Sequence, residues 1–293
     1  MKSLLSFSKK QRGNALLQLV KWQVSFGARH PGSTYHRNFI LELAKYVEYK
    51  ADEFYKQNFE ITLKGKRVLC TNLISVKKSH KHSLYKPLLL GTHFDTRMIA
   101  DNEKNPELIN KPIPGANDGA SGTAILLHLL DYLKEKQYKR DIYIVLFDAE
   151  DVGNIDGYEF AEGARYLAEH PVPEIPGQVL ILDMVGGKNM ILDIDNHIFE
   201  NQGSLKLANQ ILTIGINKGF SPFIQNKPNK YKYLICDHYP FLKKGIPAFV
   251  LMDIDYPQWH TQRDLPDAIQ PESLAMIEEV VWEYLCQFEI DAI

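Results

Sequence analysis

Cysteine is scarce: Cys70, Cys236 and Cys286 stand far apart among 293 residues, with no CxxC pair. That excludes a disulfide-rich scaffold and suits a reducing compartment, with the three thiols read as buried small hydrophobes. No run approaches the ~18 apolar residues of a membrane span. The N-terminal Met1–Lys10 stretch turns to charge after one short apolar patch, too brief for the ~7–15-residue core of a secretory leader, so a cytoplasmic location is expected. There is no basic excess either. Lys and Arg number 34 against 36 Asp and Glu, a net charge of −2, which argues against a nucleic-acid partner. Repeats, low-complexity tracts and a recognisable linker are all missing. What remains is an ordinary globular composition, 45% hydrophobic and 24% charged, long enough to bury roughly 75% of its unfolded surface without a staple. Length alone allows two domains, but nothing divides the chain, so 1–293 reads as one catalytic domain.

Apolar spacing through 11–57 predicts helices, broken by the turn His30-Pro31-Gly32-Ser33, with Ser33 placed to cap the second. Residues 58–77 alternate as strands around a Lys64-Gly65-Lys66 hairpin turn. Four short apolar runs follow, at 87–91, 142–147, 179–182 and 248–251, and they read as buried strands. Helical segments at 121–136, 158–169, 203–217 and 271–289 alternate with them. The expected fold is therefore α/β in three layers. A central mixed, mostly parallel sheet is flanked by helices, with the hairpin supplying antiparallel strands at one edge. The loop at 97–114 is long enough to read as functional.

Ligands of open α/β sheets bind beyond the carboxyl ends of the strands. Each apolar run here ends in acid or histidine. Thr92-His93-Phe94-Asp95 follows the first, Asp148-Ala149-Glu150-Asp151 the second and Asp183-Met184-Val185-Gly186-Gly187 the third. Asp253 and then Trp259-His260 follow the fourth, and Gly115-Ala116-Asn117-Asp118-Gly119-Ala120-Ser121-Gly122 opens a helix between the first two. One carboxylate at a strand end is an ordinary capping residue. Several converging on one edge repel each other, and their charge calls for a metal cation or for protons held at raised pKa. Carboxylate and imidazole donors suit catalytic zinc. The glycines lack the lysine of a phosphate loop and read as allowing a tight turn and close helix–sheet packing. Asp148 reads as a structural acid, His128 as a satisfied core or surface histidine and His238 as a hydrogen-bonding residue. Lys77-Lys78 and Lys243-Lys244 read as solvated.

Taken in order, the His-x-Asp, Gly-Ala-Asn-Asp-Gly-Ala-Ser-Gly, Phe-Asp-Ala-Glu-Asp, Leu-Asp-Met-Val-Gly, Asp-His-Tyr-Pro-Phe-Leu and Trp-His-Thr motifs resemble the zinc aminopeptidase and glutaminyl cyclase superfamily over about 86–270. Its bacterial glutaminyl cyclase-like branch is the nearer likeness. The resemblance implies Asp118, Asp151 and His260 as zinc ligands, Glu150 as general acid/base, Asp183 and Asp237 as acids of a hydrogen-bond network, and Trp259 as the substrate-pocket indole. Many relatives carry Glu-Glu where this chain has Glu150-Asp151, so either residue can be the ligand.

Two reactions fit that inventory. One is cyclisation of an N-terminal glutamine of a peptide or protein to pyroglutamate, with one zinc. The other is hydrolysis by a two-zinc aminopeptidase, in which His93 and Asp183 would hold the second metal and Asp118 would bridge. The Trp259-His260 and Asp237-His238 contexts and the His93–Ile113 loop resemble the cyclases, although the tryptophan that follows the acid/base in animal cyclases is missing. A third class is a zinc-free binding or scaffold relative, against which the retained Glu150 and ligand trio argue. Expected partners are peptide N-termini, with neither nucleic acid nor membrane.

Overall fold

The computed structural model describes residues 4–80, 83–134, 136–224 and 231–291. Part of the N-terminal stretch read for a leader, two positions of the 77–86 loop and one near the end of the 121–136 helix lie outside these residues.

Helices α1 (Lys9–Val24) and α2 (Thr34–Glu48) come first, the latter capped as expected by the Ser33 side chain, which accepts from His36 N. The predicted helix to residue 57 is corrected: α2 ends at Glu48 and β1 (Glu53–Leu63) begins four residues after its cap. Phe54 and Tyr55 are good strand formers, and pairing with β2 (Lys66–Lys77) in the register Glu53↔Val76 overrides the helical spacing. The hairpin turn falls at Lys64-Gly65.

All four apolar runs are strands: β3 (Leu88–His93), β4 (Ile142–Phe147), β5 (Gln178–Asp183) and, beyond the two-residue pair β6 (Ile194–Asp195) and β7 (Tyr231–Lys232), β8 (Ala248–Met252). The main sheet has the order β1-β2-β4-β3-β5-β8, parallel from β4 to β8, with β1 and β2 antiparallel at one edge. The mixed three-layer expectation holds. Between the strands lie α3 (Ala120–Leu133), α4 (Glu162–Glu169), α5 (Gln202–Asn217), α6 (Ser221–Ile224) and α7 (Tyr239–Lys243), with α8 (Pro271–Tyr284) last. α3, α4 and α8 are shorter than their predicted spans, and the last runs on as one π-helical turn to Glu289.

Alternate residues of each central strand feed opposite cores. Ile142, Ile144 and Leu146 pack in the core that α1, α2, α3, α5 and α8 cover, while Tyr143, Val145 and Phe147 pack under α4 and α7. Helix α3 lies close to the sheet because Gly122 lets it: a Cβ there would sit 2.6 Å from Leu182 O. At its N-cap Gly119 has φ +91°, and a Cβ would sit 2.5 Å from Asp95 O.

The minor readings fare unevenly. Lys77 is buried, not solvated, and its ammonium pairs with Asp52 at 2.6 Å. Cys70 and Cys236 are buried but Cys286 is exposed. His128 is satisfied by buried Glu278, which also faces Arg12 and so ties α1, α3 and α8 together. Among the described residues, no helix is long and apolar enough to cross a membrane.

Candidate active site

Strand β3 is flanked by β4 on one side and β5 on the other, so the chain reverses direction across the sheet there. The crevice beyond its carboxyl end is the expected ligand site of an open α/β sheet. His93 is the last residue of β3, and Asp183 the last of β5. Each loop that adds a functional side chain is fixed by a carboxylate that the sequence reading gave no role, Asp95 and Asp264 buried and Asp101 exposed.

Asp95 is the first. Its two oxygens accept the backbone N–H groups of Glu150 (3.1 Å) and Asp151 (3.2 Å), which pins the bend after β4, where Ala149 has φ +57°. Asp148, read as structural, accepts from Thr71 N and pairs with buried His36 at 2.7 Å on the far side of that bend. Asp264 does the same for the glycine loop: it accepts from Asn117 N at 2.8 Å, Asp118 N at 3.1 Å and the Tyr256 hydroxyl at 2.9 Å. Behind both loops lies buried Arg29, which donates to the carbonyls of Phe94 (3.1 Å), Pro114 (3.1 Å) and Gly115 (2.8 Å).

The 97–114 loop supplies the third carboxylate. Buried Arg97 donates to the carbonyls of Asp151 and Gly153 and grips Asp101, which faces His260 Nδ1 at 2.9 Å. The Nδ1–Asp101 contact orients the ring so that His260 Nε2 faces Asp151 Oδ1 (3.2 Å) and Asp118 Oδ2 (3.7 Å).

The ligand candidates fall into two trios sharing Asp118: Asp118, Asp151 and His260, and His93, Asp118 and Asp183. Glu150 belongs to neither. It falls in a further set within ligand reach, with Asp183 and Cys236, whose thiol donates to Asp183 Oδ2 at 3.2 Å. Asp237 is fully buried with both oxygens lacking a hydrogen-bond partner, and so are Asp118 Oδ2 and both oxygens of Asp151. Asp118 and Asp151 oxygens without a hydrogen bond, facing the His260 imidazole and with no thiolate among them, are a donor set that zinc fits.

So many acids raise one another. Burial pushes Asp151 up to about 6, with Asp118 adding to it, and Asp264 up to about 7 for the same two reasons. Burial, then Asp183, Asp237 and Asp151, hold Glu150 well above the carboxylate range against the pull of His93. Burial does likewise for Asp237, reinforced by Asp183 and Asp95. For His260 burial works downward, but Asp151 and Asp101 outweigh it and lift the imidazole to about 9. Strong shifts in a cleft mark a functional site.

A cavity of about 450 Å³ opens onto Asp118, Glu150, Asp151, Asp183 and His260. Half-buried Trp259 lines it, its ring centroid 4.2 Å from that of His260. All the predicted site residues thus gather at one edge of the sheet, Asp237 through its neighbour Cys236. The residues missed are Asp95, Asp101 and Asp264, with Arg29 and Arg97. His-x-Asp was a visible signal for Asp95, and loop length for the region of Asp101. Nothing local marks Asp264 or Arg29. His238, as expected, is a hydrogen-bonding residue, 2.8 Å from Asp195.

The family model described as peptidase family M28 matches residues 72–285. A curated glutaminyl-peptide cyclotransferase of Boiga irregularis is 24% identical over 234 residues, covering 69% of this chain and 61% of that protein. The chain therefore matches only about three fifths of the length of that relative. A glutaminyl cyclase structure from Porphyromonas gingivalis superposes with a TM-score of 0.84 at 26% identity, covering 94% of this chain and 98% of that one. A Zn-dependent exopeptidase from Parabacteroides distasonis ATCC 8503 gives 0.81 at 25% identity, covering 92% and 96%.

Proposed function

The chain belongs to peptidase family M28, and on that premise we propose that it cyclises the N-terminal glutamine of peptides to pyroglutamate with release of ammonia. Asp118, Asp151 and His260 would hold the zinc. Bound there, zinc would polarise the γ-carboxamide carbonyl as a Lewis acid.

The chain's own residues do the rest. Glu150 takes a proton from the substrate's neutral α-amine as that nitrogen closes on Cδ, and returns it to the departing amide nitrogen. One N–C bond forms, one breaks, ammonia leaves and no water is consumed. A carboxyl held well above its ordinary range suits a group that must both gain and lose a proton. Asp183 and the unpartnered carboxylate of Asp237 are the acceptors that hold the amine and the leaving amide. Trp259 supplies the wall that folds the glutamine back to near-attack distance, about 3–3.5 Å.

One observation carries the single-metal reading: the two trios are not equivalent. In the first, Asp118 Oδ2 and both Asp151 oxygens accept no hydrogen bond, although His260 Nε2 lies 3.2 Å from Asp151 Oδ1. In the second, His93 Nε2 already lies 3.2 Å from Asp118 Oδ1 and 3.3 Å from Asp183 Oδ1, while Asp183 Oδ2 is taken by Cys236. Both oxygens of Asp183 are thus hydrogen-bonded, whereas neither oxygen of Asp151 is. The aminopeptidase reading keeps one argument, that His93, Asp118 and Asp183 lie within ligand reach of one another with Asp118 shared.

Metal analysis separates the two. About one zinc per chain is expected, and chelation should abolish activity while circular dichroism stays native, because the core is large enough to stand without metal. Two tightly bound zincs per chain would favour hydrolysis.

A further inference from the structure

The acids at the floor of the cavity account for a glutamine residue, but the cavity is deeper and wider than that. At about 450 Å³ it lies within the ~300–1,000 Å³ range of small-molecule sites, and its outer part is apolar. Tyr233 is 66% exposed and Ile235 50% exposed, two large apolar side chains left in water at the mouth. Leu234, Met252, Ile254 and Trp259 line the same cavity.

This wall is rigidly held. Buried Asp195, on β6, accepts from Leu234 N at 3.1 Å and pairs with His197 Nδ1 and His238 Nε2, both at 2.8 Å. The Tyr233 ring stands edge-on to His197, centroids 4.9 Å apart and planes at 76°. One carboxylate outside the catalytic cluster thus anchors the segment through Tyr233, Leu234 and His238. Such anchoring lowers the entropy lost when a ligand side chain settles on the wall.

Charge narrows the occupant. The basic side chain lining the cavity, Lys232, is already paired with Asp255 at 2.7 Å and Asp193 at 3.3 Å. The remaining charged lining is four acids and His260. An anionic side chain meets no free cation there, whereas an apolar one covers Tyr233 and Ile235.

We infer that Tyr233, Ile235 and Ile254 form a binding subsite for the side chain that follows the N-terminal glutamine, so that the substrate class is peptides with a large apolar second residue. The inference rests on the reaction proposed above. With the glutamine amide directed to the acids of the floor, the chain leaves through the mouth, across these residues.

The test compares glutaminyl amide, which does not reach the wall, with Gln-Phe, Gln-Leu and Gln-Asp amides. Ammonia release is followed on the zinc-loaded wild type and on Ile235→Ser and Tyr233→Ser. Calorimetric binding of the same peptides to Glu150→Gln and to Glu150→Gln/Ile235→Ser gives dissociation constants without turnover. Gln-Phe and Gln-Leu should exceed glutaminyl amide in kcat/KM by about tenfold or more, mainly through KM, with Gln-Asp poorest. Either serine variant should reduce that ratio by several-fold. Equal kcat/KM across all four substrates, or a ratio unchanged in both variants, overturns the subsite and leaves the reaction standing. If no peptide releases ammonia but the apolar peptides bind more tightly and lose that advantage with Ile235→Ser, the reaction fails and the subsite stands.

Discussion

Glu150→Gln is expected to lower turnover of a glutamine-led peptide by about 10²–10⁴-fold, the usual worth of a general acid/base, while zinc content stays at the wild-type level. The substitution keeps the volume of a buried side chain and removes only its ability to shuttle a proton. Zinc retention is expected because Glu150 lies outside the trio of Asp118, Asp151 and His260 proposed to hold the metal. The backbone should not move, because Asp95 holds the Glu150 and Asp151 N–H groups whatever the side chain. Kinetics with inductively coupled plasma analysis of the same sample checks both halves. A variant that loses zinc in parallel with activity would make Glu150 the ligand.

The second large effect is expected at the neighbouring position. Asp151→Ala removes two buried oxygens that accept no hydrogen bond, one of them 3.2 Å from His260 Nε2. Zinc affinity should fall by more than the ~10–100-fold typical of losing a group that merely orients a ligand, and activity should vanish at ordinary zinc levels. Arg97 still donates to the Asp151 carbonyl and grips Asp101, so the loop and the His260 orientation are retained. Competition with a chromophoric chelator measures the affinity. If Asp151→Ala holds zinc as the wild type does while Glu150→Gln loses it, the two roles are exchanged.

Much of this site was legible because its catalytic candidates sit where a buried strand ends. The runs before His93, Glu150 and Asp183 are apolar on both faces, and that pattern survives in the sequence without any partner being known. The limits have physical causes. The start of β1, Glu53 to Gln57, was misread as helix because its pairing with β2 is long-range, whereas helical spacing is local. Lys77 looked solvated beside Lys78, and only the fold brings Asp52 to it. Cys236 was read as a small hydrophobe, and its contact with Asp183 joins β5 to a loop 53 positions away.

The carboxylates that orient the site share that difficulty. Asp264 serves Asn117 and Asp118 across 147 and 146 positions, and a lone loop acid carries no period or motif to show it. Arg29 is harder still. It lies between two helices and earns its place by filling a ring of carbonyls that only the folded loops create. Residues that do chemistry recur in recognisable motifs, whereas residues that hold them in place are chosen by tertiary geometry.

The central claim is tested most directly by the product. Purified, zinc-loaded protein is incubated with a peptide whose first residue is glutamine, and the peptide is followed by mass spectrometry. Cyclisation predicts a single new species lighter by one ammonia, with every residue still present and the N-terminus closed to amine-reactive reagents. Loss of the whole first residue, leaving a shorter peptide with a free amine, would contradict it and assign the site to hydrolysis.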